Sequence, residues 1–407
     1  MEIHLDKKIA SETWAQEAES IVRKCVHCGF CNATCPTYQL LGHESDGPRG
    51  RIYLITQLLE GQPADRQTRA HLDRCLLCRA CETTCPSGVS YGRLLETGRH
   101  MLEQQEPRTG LDRLKRKLMT TLIPNHRLMQ TGVGLAKRLR GLLPASVSSQ
   151  LPLAGKDLSR PAITHPRKML LLEGCAQSGL TPETNAAAAR ILNRFGIQLQ
   201  PEAKAGCCGA LRLHTSAREK GLRDIKQRID TWWPQVEAGV EAIISTASGC
   251  GVTVKDYGEL LKDDPEYAGK AMRIADMAVD ISEIISNEIE KTPPGPELQQ
   301  NLKVAFHSPC TLQHGQKIIG RVEALLKRYG FQLMPVADSH LCCGSAGTYS
   351  VLQPGLSGQL QADKLAKLQA HSPDVIATAN VGCQLHLRKD SDLPVLHWIE
   401  LLDTVKG

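Results

Sequence analysis

The chain has 407 residues, 41% hydrophobic and 23% charged, a composition that supports two or three domains with cores of their own and excludes a disordered or fibrous protein. Its formal net charge of +6 is modest, only 4% of residues are aromatic, and no nucleic-acid-binding motif occurs, so nucleic acid is excluded as a partner. No stretch approaches the roughly 18 consecutive apolar residues that span a bilayer, and the opening Met1-Glu2-Ile3-His4-Leu5-Asp6-Lys7-Lys8 has no apolar signal region, so the sixteen cysteines are expected to be reduced cytoplasmic thiols.

Residues 1–106 read as a helical module, with helical periodicity over 15–24 and 52–60. Two cysteine groups alternate with these helices: Cys25-x-x-Cys28-x-x-Cys31-x-x-x-Cys35-Pro36 and Cys75-x-x-Cys78-x-x-Cys81-x-x-x-Cys85-Pro86. This is the spacing of cubane iron-sulfur ligation in bacterial-type ferredoxins, where three close thiolates wrap one cluster and the fourth, at the proline, reaches the other. Two [4Fe-4S] clusters are therefore expected, one on Cys25, Cys28, Cys31 and Cys85, the other on Cys75, Cys78, Cys81 and Cys35. Zinc ribbons close with paired Cys-x-x-Cys motifs and do not need this longer string. Between the groups, Asp46-Gly47-Pro48-Arg49-Gly50-Arg51 reads first as a turn that launches the second helix and second as a string whose arginines favour reduced clusters or an acidic partner face; Arg23, Lys24, Arg74 and Arg79 are charges that could tune cluster potentials or simply be solvated.

Residues 107–167 form a basic linker. Thirteen Lys/Arg against two acids between Pro107 and Lys168 give it a net charge of +11, leaving −5 for the rest of the chain. Leu111, Leu114, Leu118 and Leu122 recur at helical spacing among these charges. The first reading is a helix that packs its leucines on a neighbour; the second is contact with a membrane surface or an acidic partner.

Beyond the linker the chain repeats itself. Cys175, Cys207 and Cys208 recur 135 residues later as Cys310, Cys342 and Cys343, and Cys250 recurs 133 later as Cys383. Such self-similarity defines two copies of one unit, 168–295 and 296–407. In each, apolar runs (169–172, 197–199 and 242–244; 304–306, 331–333 and 375–377) alternate with helical patterns at 183–195 and 317–329. Thr181-Pro182 supplies a cap and a first-turn proline for the first of these helices. Alternation of this kind predicts a parallel α/β sheet in each copy, with the cysteines gathered past the carboxyl ends of strands. The fold class is thus α+β multidomain: a helical two-cluster ferredoxin-like domain, then two duplicated α/β cysteine-rich domains. Adjacent cysteines flanked by glycine suit a thiolate metal site, a redox dithiol or disulfide, or buried structural thiols, and a further cluster in the repeats stays among these alternatives. His307, His314 and His340 flank the repeat cysteines; the first reading is polar packing at a strand end, the second a cofactor contact.

The repeats resemble the cysteine-rich domains of heterodisulfide reductase and of iron-sulfur subunits of membrane-linked dehydrogenases. The reductase closes each motif with Cys-x-x-Cys, whereas here the final positions are Thr253 and His386, of which only His386 offers a soft replacement ligand. Cys25-Val26-His27-Cys28-Gly29-Phe30-Cys31, Leu172-Glu173-Gly174-Cys175-Ala176-Gln177 and His340-Leu341-Cys342-Cys343-Gly344-Ser345-Ala346-Gly347-Thr348-Tyr349, with the Asp46 to Arg51 string, resemble the iron-sulfur subunits of bacterial glycolate oxidase (glycolate dehydrogenase).

That resemblance implies an electron-transfer subunit of an oxidoreductase complex that oxidises glycolate to glyoxylate. FAD would lie on partner flavin-containing dehydrogenase subunits, and electrons would leave toward a quinone or other respiratory acceptor. Any membrane contact would be peripheral, at the cytoplasmic face of the inner membrane. The residues agree that the chain is not catalytic alone, since Gly132-Val133-Gly134 has Lys137 where a dinucleotide loop needs its third glycine. The alternatives are an iron-sulfur subunit of a glycerol 3-phosphate or lactate dehydrogenase, or a thiol/disulfide reductase.

Overall fold

A computed structural model describes residues 1–143, 148, 150–152, 155–202, 206–291 and 300–405, so the expected boundary between the repeats at 295/296 lies outside the described residues. The N-terminal part is helical. Helices Thr13–Arg23, Pro48–Leu59, Arg66–Asp73 and Tyr91–Gln105 bury Ile21, Val22, Ile55, Leu59, Leu72, Leu94 and Leu95 in one core. The proline of the launching turn sits in the first turn of Pro48–Leu59, where its missing N–H costs nothing. That helix therefore already includes Arg49 and Arg51, which the sequence alone places in the turn.

Each repeat forms a four-stranded, wholly parallel sheet. Strands β1 (Arg167–Leu172), β2 (Ile197–Pro201), β3 (Ile243–Ser245) and β4 (Ala278–Asp280) lie in the order β2-β1-β3-β4; β5 (Lys303–His307), β6 (Gln332–Met334), β7 (Val375–Thr378) and β8 (Val395–His397) repeat it as β6-β5-β7-β8. Met169 to Leu172 are buried without alternation, as expected of a parallel strand covered on both faces. The edge strands β4 and β8 are too short, at three residues each, to leave a pattern in the sequence. A single core joins the sheets: Met169, Leu171, Ile191 and Ile244 of the first pack with Val304, Phe306, Leu326 and Trp398 of the second. Across it Thr184 donates to Glu400 (2.8 Å), and Arg190 pairs with Asp403 (2.7 Å).

Two local expectations change. The helix expected over 317–329 runs only from Arg321 to Arg328, because Lys317 (φ 58°) and Gly320 (φ 73°) are left-handed and delay its start. Thr181 precedes the helix Pro182–Arg194 but makes no capping bond through its hydroxyl.

The larger change is in the linker. Helices Gly110–Leu122 and His126–Arg138 form there, but the leucines of the first do not pack: Leu111 is 81% exposed and Leu114 60%. The helix is held instead by its charged side. Arg108 bonds both Asp73 oxygens (2.7 Å each), Glu103 (3.1 Å) and Asp112 (2.9 Å), and Arg116 bonds Asp112 (3.2 Å). Both guanidiniums are largely buried, and such multidentate contacts outweigh a two-turn leucine stripe with nothing apolar to cover. Among the described residues, no helix is long and apolar enough to cross a membrane.

Candidate metal centres

Two cavities carry the ferredoxin-type cysteines. Cys25, Cys28, Cys31 and Cys85 line the first together with Val26, Phe30 and Tyr91; Cys35, Cys75 and Cys78 line the second with Arg51 and Arg79, and Cys81 lines both. The two cysteine loops share a backbone. His27 (φ 55°) and Gly29 (φ 85°) flank Cys28, and Leu77 (φ 52°) and Arg79 (φ 60°) flank Cys78, 50 residues on. A left-handed residue on each side of the central cysteine curls the chain around a common centre, and holding three non-glycine residues there stores strain typical of a ligand clamp.

The donor chemistry fits a polynuclear cation. Burial, then the neighbouring Cys25, pushes the Cys31 thiol up to about 11, and burial, then Cys310, pushes Cys78 well above its ordinary value. Crowded thiols of this kind stay protonated at neutral pH unless a metal offsets the charge of the thiolates. Leu77 N–H already donates to Cys75 Sγ (3.4 Å), as does the Tyr91 hydroxyl (3.6 Å).

Beside the second cavity lies one of the two arginines of the launching string. Arg51 is fully buried, donates to the His71 carbonyl (2.8 Å) and to Thr37 Oγ1 (3.1 Å), and lies 3.7 Å from the Asp46 carboxylate. Asp46 also receives Arg74 (2.9 Å) and meets His71 Nδ1 (2.9 Å). Thr37 in turn touches Cys35 Sγ (3.3 Å). Of the charges singled out in the sequence, Arg79 lines the cavity while bonded to Glu82 and Asp256, Arg23 pairs with Glu19, and Lys24 is exposed.

The repeat cysteines also converge. In the first repeat Cys175 lies 3.7 Å from Cys207, and Cys208 faces Cys250; in the second Cys310 lies 3.8 Å from Cys342, and Cys343 faces Cys383. Gly209 (φ 91°) and Gly344 (φ 89°) end the double-cysteine loops, and a Cβ on Gly344 would come within 2.7 Å of the Ser357 carbonyl. Thr253 spends its hydroxyl on the Gly249 carbonyl (3.1 Å). His386 has its Nε2 at 3.3 Å from Ser357 Oγ. The ring that faces the thiols is His307, which groups with Cys343 and Cys383, all ligand atoms within 4.8 Å of one another. His314 behaves as a packing residue, bonded to Thr83 Oγ1 and the His340 carbonyl (2.8 Å each).

These features suit an iron-sulfur protein with a helical cysteine-rich module and paired cysteine-rich α/β domains. Residues 21–89 match the 4Fe-4S dicluster domain family, and residues 169–255 and 304–388 match the cysteine-rich domain family. The chain is 51% identical to the glycolate oxidase iron-sulfur subunit of Escherichia coli K12, over 99% of this chain and 98% of that one, and 31% identical to a probable glycolate oxidase iron-sulfur subunit of Bacillus subtilis 168, over 94% and 92%. Lactate utilization protein A of Bacillus licheniformis is 26% identical over 58% of this chain and 99% of its own. A crystal structure of a hypothetical protein from Helicobacter pylori shares the fold, with a TM-score of 0.58 at 13% identity, covering 98% of this chain and 74% of that one. The chain belongs to the family of glycolate oxidase iron-sulfur subunits.

Proposed function

We propose that this chain is the electron-transfer subunit of a glycolate-oxidising dehydrogenase complex, in which partner subunits carry the flavin and convert glycolate to glyoxylate. The observation that carries the reading is the pair of adjoining cysteine-lined cavities with Cys81 in the wall of both. Cys25, Cys28, Cys31 and Cys85 would hold one [4Fe-4S] cluster, and Cys75, Cys78, Cys81 and Cys35 the other. Bound there, the clusters supply one-electron redox chemistry between a two-electron flavin and a respiratory acceptor such as a quinone.

The protein's own part is to hold and shield. Residues 1–106 act as the two-cluster domain, 107–167 as the basic linker, and 168–295 and 296–407 as the cysteine-rich repeats. Tyr91, Arg51 and the core around Leu94 keep water from the second cavity. The first opens to the surface beside Cys28, Val26 and Phe30, which makes that face the docking site for the flavin subunits. The leucine face of Gly110–Leu122, with exposed Arg113, Lys115 and Lys117 around it, is the peripheral contact with the cytoplasmic face of the inner membrane.

The test is to add glycolate anaerobically to the chain reconstituted with its flavin-containing partners. Bleaching of the iron-sulfur absorption, with a rising reduced-cluster paramagnetic signal, is expected. Flavin reduction that leaves the cluster spectrum unchanged would sink the relay reading.

A further inference from the structure

The two repeats differ at one position that faces the cysteines. His307 ends β5, and the residue 135 earlier, at the end of β1, is Leu172. Leu172 joins the apolar core beside Cys207 and Cys208. His307 is 1% exposed, and neither of its ring nitrogens has a hydrogen-bond partner. An imidazole in that state forfeits two hydrogen bonds that water would supply, a cost of about 1–3 kcal/mol per group, unless something else takes a lone pair. Two thiols, Cys343 and Cys383, stand within 4.8 Å of its ligand atom.

Neutral thiols would leave His307 without a partner for its lone pair; a thiol-bound metal supplies one.

We propose that the second repeat holds a thiophilic metal, as iron with sulfide or as zinc, with His307, Cys343 and Cys383 as ligands and the Cys310–Cys342 pair on its border. Imidazole with thiolates is a donor set suited to these metals. His307 thus fills the place of the cysteine missing from the end of the motif, from a strand end and not from the helix that carries His386. Cys310 and Cys342 pack against Leu76 and Cys78, so the site shares a wall with the second ferredoxin-type cavity. This assignment of ligands is independent of the relay reading.

The experiment is elemental analysis and acid-labile sulfide on anaerobically purified full-length chain, compared with His307→Leu, which copies the first repeat, with Cys343→Ser, and with Cys208→Ser as the matched change in the first repeat. Each variant's circular dichroism is the folding control. Cys343→Ser is expected to lose all the metal of the second repeat and His307→Leu most of it, while the iron of the ferredoxin-type domain persists in both and Cys208→Ser keeps the second-repeat metal. Folded His307→Leu and Cys343→Ser proteins with the wild-type metal content would overturn the proposal. Should both variants fail to fold, X-ray absorption at the iron and zinc edges of the wild-type chain decides. Imidazole scattering supports the site, because the ferredoxin-type cysteines offer only sulfur, and its absence refutes it. Which edge carries that scattering distinguishes zinc from iron.

Discussion

At the residue scale, Arg51 shows how a single charge can be committed to a redox site without belonging to its ligand motif. It is buried against Thr37, which touches Cys35, and it lines the cavity of Cys75 and Cys78. A unit charge about 6–8 Å from a centre, at an effective dielectric of ~20, is worth about 2 kcal/mol, and Asp46 at 3.7 Å offsets part of it. Because a positive neighbour favours the more negative, reduced state, Arg51→Met is expected to lower the midpoint potential of that centre by several tens of millivolts. Arg51→Lys, which keeps the charge, should recover most of the shift. Redox titration of the cluster's paramagnetic signal measures this, and an unshifted potential in a folded Arg51→Met protein would remove the tuning role. The sequence offers this arginine as a cluster-favouring charge only as the second reading of a glycine- and proline-rich turn, and the start of the helix at Pro48 is what turns it inward.

At the scale of elements, the linker helix Gly110–Leu122 inverts the usual reading of an amphipathic stripe. Its leucines face outward because Asp73 and Glu103, on neighbouring helices, take Arg108, and Asp73 also lies 3.5 Å from Arg116. The exposed leucines and basic residues together suit an anionic phospholipid surface. Flotation with vesicles containing about a third anionic lipid is expected to carry the wild-type chain upward, and Leu114→Ser with Leu118→Ser should weaken binding at least ~10-fold. Half-inserting two leucines is worth about 1.5–3 kcal/mol, so the loss is well within measurement. Equal flotation of the double variant, or none by the wild type, would discard the membrane contact. The helix itself was legible from its period, but which face docks was not, since that depends largely on Asp73, 35 residues from Arg108 and 43 from Arg116. The same limit left His307 among several flanking histidines. The 135-residue repeat and the strand–helix alternation revealed two parallel sheets and the gathering of cysteines past their strand ends, yet facing of His307 to Cys343 and Cys383 follows from three-dimensional closure. His386, three residues after Cys383, has its Nε2 at Ser357 Oγ.

At the scale of the molecule, the centres are unequally exposed, and this sets a direction. Cys28 is exposed and surrounded by Val26 (67% exposed) and Phe30 (61%), whereas Cys35, Cys75 and Cys81 are buried and Cys78 lies against the second repeat. Ties between the domains keep that second side closed: Tyr349 donates to the Arg74 carbonyl (3.1 Å), Thr83 meets His314 (2.8 Å), and Arg79 bonds Asp256 (3.0 Å). On the proposed function, a partner bearing a flavin would approach from the Val26 and Phe30 side. Phe30→Glu places a charge in the centre of that apolar face, where burial of an aromatic anchor is typically worth 2 kcal/mol or more. The variant is expected to retain its iron and sulfide but to bind the flavin subunits roughly 30-fold more weakly, with glycolate-driven cluster reduction falling in step at limiting partner concentration. Titration calorimetry and the rate of bleaching report the two effects separately. Undiminished affinity with intact clusters would mean that the flavin subunits dock elsewhere, and the repeat domains would then be the face to map.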